Sequence, residues 1–553
     1  MAVEASIAAH PTSFRALQQS LFSLLHGCNS IKNISEIHAQ ILINGLSQKN
    51  FILVQLLNLY IASGHLVNAC RAFGQIEIPS TTVWNQMIRG HARGEMPRKS
   101  VELYNRMEAA GAAPDGFTYS FVISACARSG LLTEGQQMHG KVVSNGFWSN
   151  VFVQTNLINL YAMDGRGLGD ARQMFDEMSE RNVVTWNSLL VGYLRNKDID
   201  AANRIFDEMP ERSVVSWTTM IAGCAQNGKH KQALSLFHEM RRANVELDQV
   251  ALVAALSACA ELGDLKLGRW IHSYIGETFR YRNQPVLVSL NNALIHMYAS
   301  CGLVEEAYKV FLDMPRRTSV SWTSMITGFA KQGRGEEALR IFYWMQCSGA
   351  NEARPDEITF LGVLSACSHA GLVDEGRQLF KCMNQIWSIK PRIEHYGCIV
   401  DLLSRAGFLD EAYSLVEAMP MKPNYAVWGA ILGGCRIHKN VELASHVARN
   451  LAIELDDPDQ AAGYLVLLLN LYAATRKWLD VATVRQKMVE MGVKKPPGRS
   501  WVQTDGVIHE FLADDMTHKD TYLIYKLLGE ITASIKCDGY KPGILEVLLD
   551  NEE

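Results

Sequence analysis

The sequence repeats itself along most of its length, and this repetition constrains the fold more than any other feature. Successive repeats begin at residues 183, 214, 249, 288, 319, 357 and 393, so they are 31 to 39 residues long. Three of them share a tryptophan near the start and a methionine near the end: Trp186 and Met209, Trp217 and Met240, and Trp322 and Met345. One apolar pattern recurring at a fixed phase indicates a stack of equivalent structural units.

The repeat that begins at residue 214 contains two helical stripes. Apolar residues of the first stripe lie at i, i+3, i+4, i+7 and i+8, on one face of a helix: Trp217, Met220, Ile221, Cys224 and Ala225. After Gly228, a residue suited to ending a helix, a second stripe follows: Ala233, Phe237 and Met240. Neither helix can bury its stripe alone. The sequence therefore predicts an all-α fold, an α-solenoid (superhelix) of tandem helix-turn-helix repeats.

Three kinds of repeat alternate in the order long, variant, short. Variant repeats carry SACARSG, SACAELG and SACSHAG, at 116–150, 249–287 and 357–392. Short repeats contain NLINLYAMDG (156–165) or NALIHMYASCG (292–302). Residues 18–80 have the pattern of a variant repeat followed by a short one, with blurred borders, so we interpret them as degenerate first repeats.

Composition and charge narrow the functional classes. The formal net charge is −4 and the pI about 6.5. A protein that binds nucleic acid by gross phosphate attraction should be basic, so this balance counts against that mechanism and slightly favours protein binding. No apolar run reaches the roughly eighteen residues of a membrane-spanning helix, and we therefore expect no membrane partner.

Residues that could carry metal or stacking chemistry fit a packing role better. The twelve cysteines form no C-x-x-C pair, and five of them recur at one phase: Cys126, Cys224, Cys259, Cys367 and Cys435. We expect these thiols to act as small buried hydrophobes. His139 and His272 recur in the second helices of variant repeats, which favours packing or groove positions over metal ligation. The fixed-phase tryptophans are expected in the core and not as platforms for bases.

The repeat pattern resembles a known family. Its features are a W-[NT]-x-[LM]-I start, an F-x-x-M second helix and the dipeptides Pro114–Asp115 and Pro355–Asp356. Together they resemble the plant organellar pentatricopeptide repeat (PPR) proteins of the PLS subfamily, over roughly residues 18–540. The resemblance implies a PLS-type repeat array at 81–424.

The C-terminal region resembles the extensions of RNA-editing members of that family. Residues 425–503 are similar to the E-type extension, with two PPR-like helical motifs, and residues 504–553 to the E-plus type. The deaminase that follows these motifs in the longest members needs H-x-E and C-x-x-C, and the sequence contains neither. We therefore expect no enzyme activity, no catalytic residue, no metal and no cofactor. The resemblance then implies that a deaminase-bearing PPR protein acts in trans, with accessory editing factors.

In the resembled family, the fifth and the last residue of each repeat recognise one RNA base, and we call these two residues the recognition pair. The resemblance assigns the following pairs: Asn85 and Asp115 (uridine), Ser120 and Asn150 (adenine), Thr155 and Asn182 (adenine), Asn187 and Ser213 (cytidine), Thr218 and Asp248 (guanine), Asn292 and Thr318 (a pyrimidine), and Thr323 and Asp356 (guanine). Val253, Leu361 and Gly397 at the fifth position assign no base. The implied target is 5′-U-A-A-C-G-N-Y-G-N-N in single-stranded organellar RNA.

These features predict sequence-specific RNA binding that selects sites for C-to-U editing of organellar transcripts. Two alternatives stay open: RNA binding for splicing, stabilisation or translation, and a helical-repeat scaffold for protein interaction. Residues 1–17 contain Arg15 with several Ser and Ala residues, and we interpret them as a possible organelle-targeting (transit) segment. We expect a mitochondrial location, with the chloroplast as the alternative.

Overall fold

The computed structural model describes residues 14–28, 30–163, 165–281, 286–348, 353–453, 458–492, 498–504, 507–512 and 516–537. Residues 1–13 of the predicted targeting segment and residues 538–553 of the predicted E-plus segment lie outside the described residues. The chain divides into two compact modules, an N-terminal module (1–251) and a C-terminal module (252–553).

The N-terminal module consists of helices α1 to α14. Their bounds are α1 (Phe14–His26), α2 (Ile31–Ile43), α3 (Asn50–Ala62), α4 (Leu66–Phe73), α5 (Thr81–Arg93), α6 (Arg98–Ala109), α7 (Gly116–Ser129), α8 (Leu132–Ser144), α9 (Val151–Ala162), α10 (Leu168–Glu177), α11 (Val183–Arg195), α12 (Ile199–Glu208), α13 (Val214–Gln226) and α14 (His230–Arg242).

The C-terminal module begins within α15 and continues to α29. Its elements are α15 (Gln249–Leu262), α16 (Leu265–Tyr281), α17 (Val288–Ser300), α18 (Val304–Asp313), α19 (Ser319–Lys331), α20 (Gly335–Cys347), α21 (Glu357–Ala370), α22 (Val373–Gln385), α23 (Ile393–Arg405), α24 (Leu409–Glu417), α25 (Tyr425–His438), α26 (Val441–Ile453), α27 (Pro458–Ala474), α28 (Trp478–Glu490), β1 (Arg499–Thr504), β2 (Val507–Leu512) and α29 (Thr521–Cys537).

Within each module the helices pair and stack as the repeat pattern predicts. Each first helix packs on the second helix of its own repeat and on the first helices of the adjacent repeats, for example α5 on α7 and α7 on α9, or α19 on α21 and α21 on α23. The predicted α-solenoid is confirmed. The antiparallel hairpin of β1 and β2, in which Arg499 pairs with Leu512 and Thr504 with Val507, was not anticipated from the sequence. No helix in the described part of the chain is long and apolar enough to span a bilayer.

The fixed-phase tryptophans join consecutive repeats. Each packs edge-on against a phenylalanine from the second helix of the preceding repeat, with ring centroids 4.7 to 5.0 Å apart: Phe73 with Trp84, Phe175 with Trp186, Phe206 with Trp217, and Phe311 with Trp322. All four tryptophans are buried, as the periodicity predicts. Edge-to-face aromatic pairs add about 0.5–1.5 kcal/mol to the burial of their apolar surface, so they stabilise each junction.

The five in-phase cysteines are free thiols at fully buried positions, as the pattern predicts. Burial raises the pKa of Cys126 and of Cys367 to about 12, and that of Cys224 and of Cys435 to about 11. Each of these thiols is therefore protonated at neutral pH and serves as a small apolar side chain.

The recurring histidines connect variant repeats to the short repeats that follow them. The His139 Nδ1 lies 2.9 Å from the Tyr161 hydroxyl, and the same two atoms of His272 and Tyr298 are 2.9 Å apart. His38 on α2 makes the equivalent contact with Tyr60 on α3, at 3.1 Å. These contacts confirm the packing interpretation of His139 and His272. Our assignment of residues 18–80 to degenerate repeats stays a prediction.

The three histidine–tyrosine contacts predict an acid-sensitive fold. Burial lowers the pKa of His38, His139 and His272 from the ordinary histidine value. The pKa of each histidine in the folded protein lies below the unfolded value of about 6.5. The stability that the neutral imidazoles contribute is therefore fully present above about pH 6.5 and is lost as the pH falls through the folded pKa. We expect the thermal midpoint to drop between about pH 7.5 and about pH 5, and to drop less in a triple His→Gln variant at these positions.

The matched control is His65→Gln, which removes an exposed histidine from the same module as His38. An equal pH dependence of the thermal midpoint in the wild-type protein and in the triple variant would contradict the prediction.

Candidate nucleic-acid interface

The last residue of each repeat lies at the start of the next first helix, where it caps the helix. Asp115 Oδ1 accepts a hydrogen bond from the Thr118 backbone N–H at 2.8 Å, and Asp356 Oδ1 accepts one from Thr359 N–H at 2.8 Å. The equivalent residues of other repeats make the same kind of contact: Asn150, Asn182, Ser213 and Asp248. Asn, Asp and Ser are favoured at this position because their side chains bond N–H groups that lack helical partners. Capping therefore explains part of the polar pattern at the last position.

The fifth residue of a repeat lies in the second turn of the first helix and has no capping role. Even so, it is polar and more than nine-tenths buried in five repeats: Asn85, Ser120, Thr155, Thr218 and Thr323. Burying a polar group costs free energy unless it is hydrogen-bonded, so these side chains need partners.

Two recognition pairs are in direct contact. Asn85 Nδ2 donates to Asp115 Oδ1 at 3.0 Å, and Thr218 Oγ1 donates to Asp248 Oδ1 at 3.0 Å. Thr118, the third residue of the next repeat, also donates to Asn85 Oδ1 at 2.7 Å. The Asn85 amide is thus held on both sides, with a fixed orientation.

In each of two further pairs, a threonine of the next repeat connects the two side chains. Thr185 Oγ1 donates to Asn182 Oδ1 at 3.0 Å and lies 2.9 Å from Thr155 Oγ1. In the same way Thr359 links Asp356, at 2.8 Å, to Thr323, at 2.8 Å. Asn182 and Asp356 both lie at the start of the next first helix, where the repeat pattern places a last residue.

The two members of each of the remaining three pairs share no hydrogen bond within the described residues. Ser120 accepts from Asn156 Nδ2 at 2.8 Å instead of meeting Asn150. In the pairs of Asn187 with Ser213 and of Asn292 with Thr318, each asparagine Oδ1 is buried and lacks a hydrogen-bond partner in the described structure. A buried carbonyl oxygen without a donor is costly, and a ligand that brings a donor would remove that cost.

A cavity of about 240 Å³ lies above one recognition pair in the C-terminal module. Thr323 and Asp356 line it together with His296 and Lys331, and two apolar side chains, Val320 and Ile358, also line it. Val320 is 59% exposed and Ile358 63% exposed. Burial lowers the pKa of His296, as does the Lys331 ammonium, which favours a neutral imidazole. The cavity combines apolar surfaces with hydrogen-bonding groups at a recognition pair.

Val320 and Ile358 are the second residues of their repeats, a position that was not predicted from the sequence to be functional. Other repeats expose large apolar residues there as well: Phe117, Phe152, Val184, Val215 and Val250. The sequence did contain a signal for these exposed residues. An apolar residue recurs two positions before the fixed-phase tryptophan, about 200° around the helix and away from the buried stripe. Exposed apolar groups repeated beside polar pairs suit the flat faces of bases.

Basic residues lie on the same face of the first helices. The thirteenth position of a repeat follows the second by about three helical turns, so both point in one direction. Exposed Arg93 and Arg195 take this position in the N-terminal module, and exposed Lys331 takes it in the C-terminal module. The net charge of −4 therefore coexists with exposed cations on this helix face, two in the N-terminal module and one in the C-terminal module.

Comparisons with known proteins identify the family. The chain is 42% identical to the pentatricopeptide repeat-containing protein At5g66520 of Arabidopsis thaliana, over 97% of this chain and 86% of that protein. It is 40% identical to At5g56310 of the same plant, over 93% of this chain and 95% of that protein. The chain belongs to the pentatricopeptide repeat family.

Models of the family's repeats and extension match along this PPR protein. The PPR repeat family matches at 79–128, 181–214, 212–261 and 317–369, and the PPR repeat at 117–147, 292–318, 358–386 and 394–422. The E motif matches at 438–503. The chain is therefore a PLS-type PPR protein with an E motif, as the sequence predicted.

Among solved structures, the PPR protein is similar to the crystal structure of PPR10 from maize, with a TM-score of 0.43 and 17% identity over 87% of this chain and 84% of that chain. It is also similar to PPR10 in complex with an 18-nucleotide psaJ RNA element, with a TM-score of 0.42 and 16% identity over 87% of this chain and 80% of that chain.

Proposed function

We propose that this PPR protein binds single-stranded RNA in a sequence-specific manner, with one base at each recognition pair. The cavity at Thr323 and Asp356 carries the proposal, because it offers what an unpaired base requires. The apolar side chains of Val320 and Ile358 suit the two faces of the base, and the recognition pair suits its hydrogen-bonding edge. Double-stranded RNA hides that edge in base pairs, so the partner is single-stranded.

The hydrogen-bond state of each pair supports discrimination between bases. Asn85 is held by Asp115 and Thr118, so it presents a fixed pattern of donors and acceptors. Asn187 instead has a buried Oδ1 without a partner in the described structure, which would accept a hydrogen bond from a base amino group. This difference agrees with uridine at the first pair and cytidine at the second, as the family resemblance implies.

A single substitution should change the preferred base. Thr218 with Asp248 implies guanine, whereas Asn with Asp, as at Asn85 and Asp115, implies uridine. We expect Thr218→Asn to prefer uridine at this position, because each mismatched base contact costs about 1–3 kcal/mol. The measurement is the affinity for the predicted decamer carrying each of the four bases there. Ser235→Asn on exposed α14 surface is the control and should leave the preference for guanine unchanged.

A second substitution should weaken binding to every RNA equally. Exposed Arg195 lies on the face that carries Val184, with no ion pair or hydrogen bond among the described residues. If it contacts a phosphate, Arg195→Ala should reduce the slope of log affinity against log salt by about 0.7 without altering base preference. The matched control is Arg204→Ala, an exposed arginine on second helix α12. Base-dependent loss at Arg195 would contradict this prediction.

We further propose that the bound RNA is an organellar transcript and that binding selects a site for C-to-U editing. The E motif at 438–503 supports this proposal, since the resemblance associates such extensions with editing. Two relatives support an organelle: At1g59720 is named chloroplastic/mitochondrial and At1g08070 chloroplastic. Our choice between the two organelles remains the mitochondrion, with the chloroplast as the alternative.

The deaminase would be supplied in trans by another PPR protein, with accessory factors. The sequence contains no H-x-E or C-x-x-C for a deaminase zinc site. The C-terminal helix α29 also exposes an apolar surface suited to a protein partner: Tyr522, Leu523, Tyr525, Leu527, Leu528, Ile531 and Ile535.

The editing proposal is tested by comparing C-to-U editing across organellar transcriptomes with and without this protein. We expect editing to be lost at one or a few cytidines that lie shortly 3′ of a match to the decamer. Unchanged editing together with defects in splicing, stability or translation would favour the alternative RNA-binding roles. Lost editing only at sites unlike the decamer would contradict the base assignments.

A further inference from the structure

An arginine directly precedes the last residue in three repeats, those at 151–182, 183–213 and 288–318. Arg181 Nε donates to the Phe175 carbonyl oxygen at 2.8 Å, and its second guanidinium nitrogen donates to the Asp176 carbonyl at 2.8 Å. The Arg317 side chain makes the same two bonds, to Phe311 at 2.9 Å and Leu312 at 2.8 Å.

Arg212 makes the equivalent contact in the repeat at 183–213. Its Nε donates to the Phe206 carbonyl oxygen at 3.0 Å, and a guanidinium nitrogen lies 3.4 Å from Asp207 Oδ1. The carbonyl groups at the end of a helix lack helical partners, and a positive charge there also interacts favourably with the helix dipole. The arginine therefore ties the connecting segment back to the helix that precedes it.

The same guanidinium groups stack on the aromatic pairs that join the repeats. The guanidinium carbons of Arg181, Arg212 and Arg317 lie 4.4 to 4.8 Å from the ring centroids of Phe175, Phe206 and Phe311. Each of these rings packs against a tryptophan that directly precedes the fifth residue of the next repeat: Trp186, Trp217 and Trp322. We call this arrangement of arginine, phenylalanine and tryptophan the arginine clamp.

The clamp fixes a segment that carries a recognition residue. Helices α10, α12 and α18 end in an extended residue, Met178, Met209 or Met314, and the last residue of the repeat follows four residues later. The arginine is the residue immediately before it. Two long repeats have a proline in that place, since Pro114 precedes Asp115 and Pro355 precedes Asp356, and proline restricts the backbone by its ring.

The clamp has a particular consequence where the recognition pair is not internally bonded. Asp115 is held by Asn85 and Thr118, whereas Ser213 and Asn187 have no hydrogen bond with each other in the described structure. The position of the Ser213 hydroxyl relative to Asn187 then depends on the backbone of the connecting segment. A hydrogen bond weakens steeply when its distance or angle changes, so a small shift of this segment would alter base recognition.

We propose that Arg181, Arg212 and Arg317 are positioning residues for base recognition, which hold the last residues of their repeats, Asn182, Ser213 and Thr318, where these can discriminate between bases. This proposal rests on the proposed function, because discrimination has meaning only if the recognition pairs bind RNA. The arginines act through the connecting segment and do not themselves contact the base.

The test uses the full chain and synthetic single-stranded decamers of the predicted sequence. The base opposite Asn187 and Ser213 is varied among the four nucleotides, and in a second set the base opposite Asn85 and Asp115, a pair that Arg212 does not contact, is varied. For Arg212→Ala we expect the affinity ratio between the preferred and other bases to fall about five- to tenfold in the first set, the worth of roughly one hydrogen bond. The ratio in the second set should be unchanged.

Two further variants keep the test decisive. Arg212→Lys retains the charge but cannot donate in the planar fork geometry or stack as a guanidinium, so it should lose discrimination as Arg212→Ala does. Arg204→Ala removes an exposed arginine from the same helix pair and should keep the wild-type ratio. If Arg212→Ala does not fold, two other variants replace it. Arg212→Lys is measured at the pair of Asn187 and Ser213, and Arg317→Ala at the pair of Asn292 and Thr318. The same loss of discrimination is expected for both.

The outcomes separate this proposal from a merely structural role. Equal losses of affinity for all bases, or a lower thermal midpoint with an unchanged affinity ratio, would overturn the positioning role and leave the proposed RNA binding intact. A wild-type protein that binds all decamers equally would instead overturn the proposed function, and the positioning role with it.

Discussion

The apolar face that each helix pair leaves uncovered is the constraint on which the rest of this structure depends. A single pair cannot bury the stripe that contains Trp217, Met220 and Ile221, so its stability comes from the next pair in the stack. The edge-on contacts between a phenylalanine of one repeat and a tryptophan of the next set the junction. Because the same junction recurs, equivalent positions of successive first helices follow one another within each module in the order of the sequence.

The residues proposed to recognise bases also contribute to helix stability. Asp115 and Asp356 cap helices through their carboxylates and also belong to recognition pairs. Substitution at the last position therefore affects helix stability, whereas Thr218 and Thr323 at the fifth position have no capping role. This separation makes the fifth position the cleaner place for changing base preference. The arginine clamp, as proposed, gives the segment before the last residue an influence on specificity that its sequence alone does not suggest.

The net charge of the chain does not reflect the charge on the helix faces that carry the second-position residues. The net charge of −4 argues against binding by bulk attraction, but the exposed side chains of Arg93, Arg195 and Lys331 share a helix face with the exposed second-position residues. Only charges within about one Debye length of a phosphate contribute strongly at physiological salt. The proposed RNA binding therefore requires only cations close to the phosphates, and acidic residues elsewhere need not oppose it.

The sequence by itself determined the helix pairs, their stacking into an α-solenoid, the burial of the tryptophans and in-phase cysteines, and which residues occupy the fifth and last positions. Periodicity carries this information because burial follows helix geometry within one repeat. Only the tertiary structure decided that Asn85 bonds Asp115 while Asn187 lacks a partner, that Val320 and Ile358 line one cavity, and that Arg212 holds the end of α12. The hydrogen bonds of Asn85 and Asn187 and the lining of the cavity depend on how consecutive repeats are offset. The arginine clamp depends on the path of a connecting segment. A pattern of residue types within one helix contains neither kind of geometry.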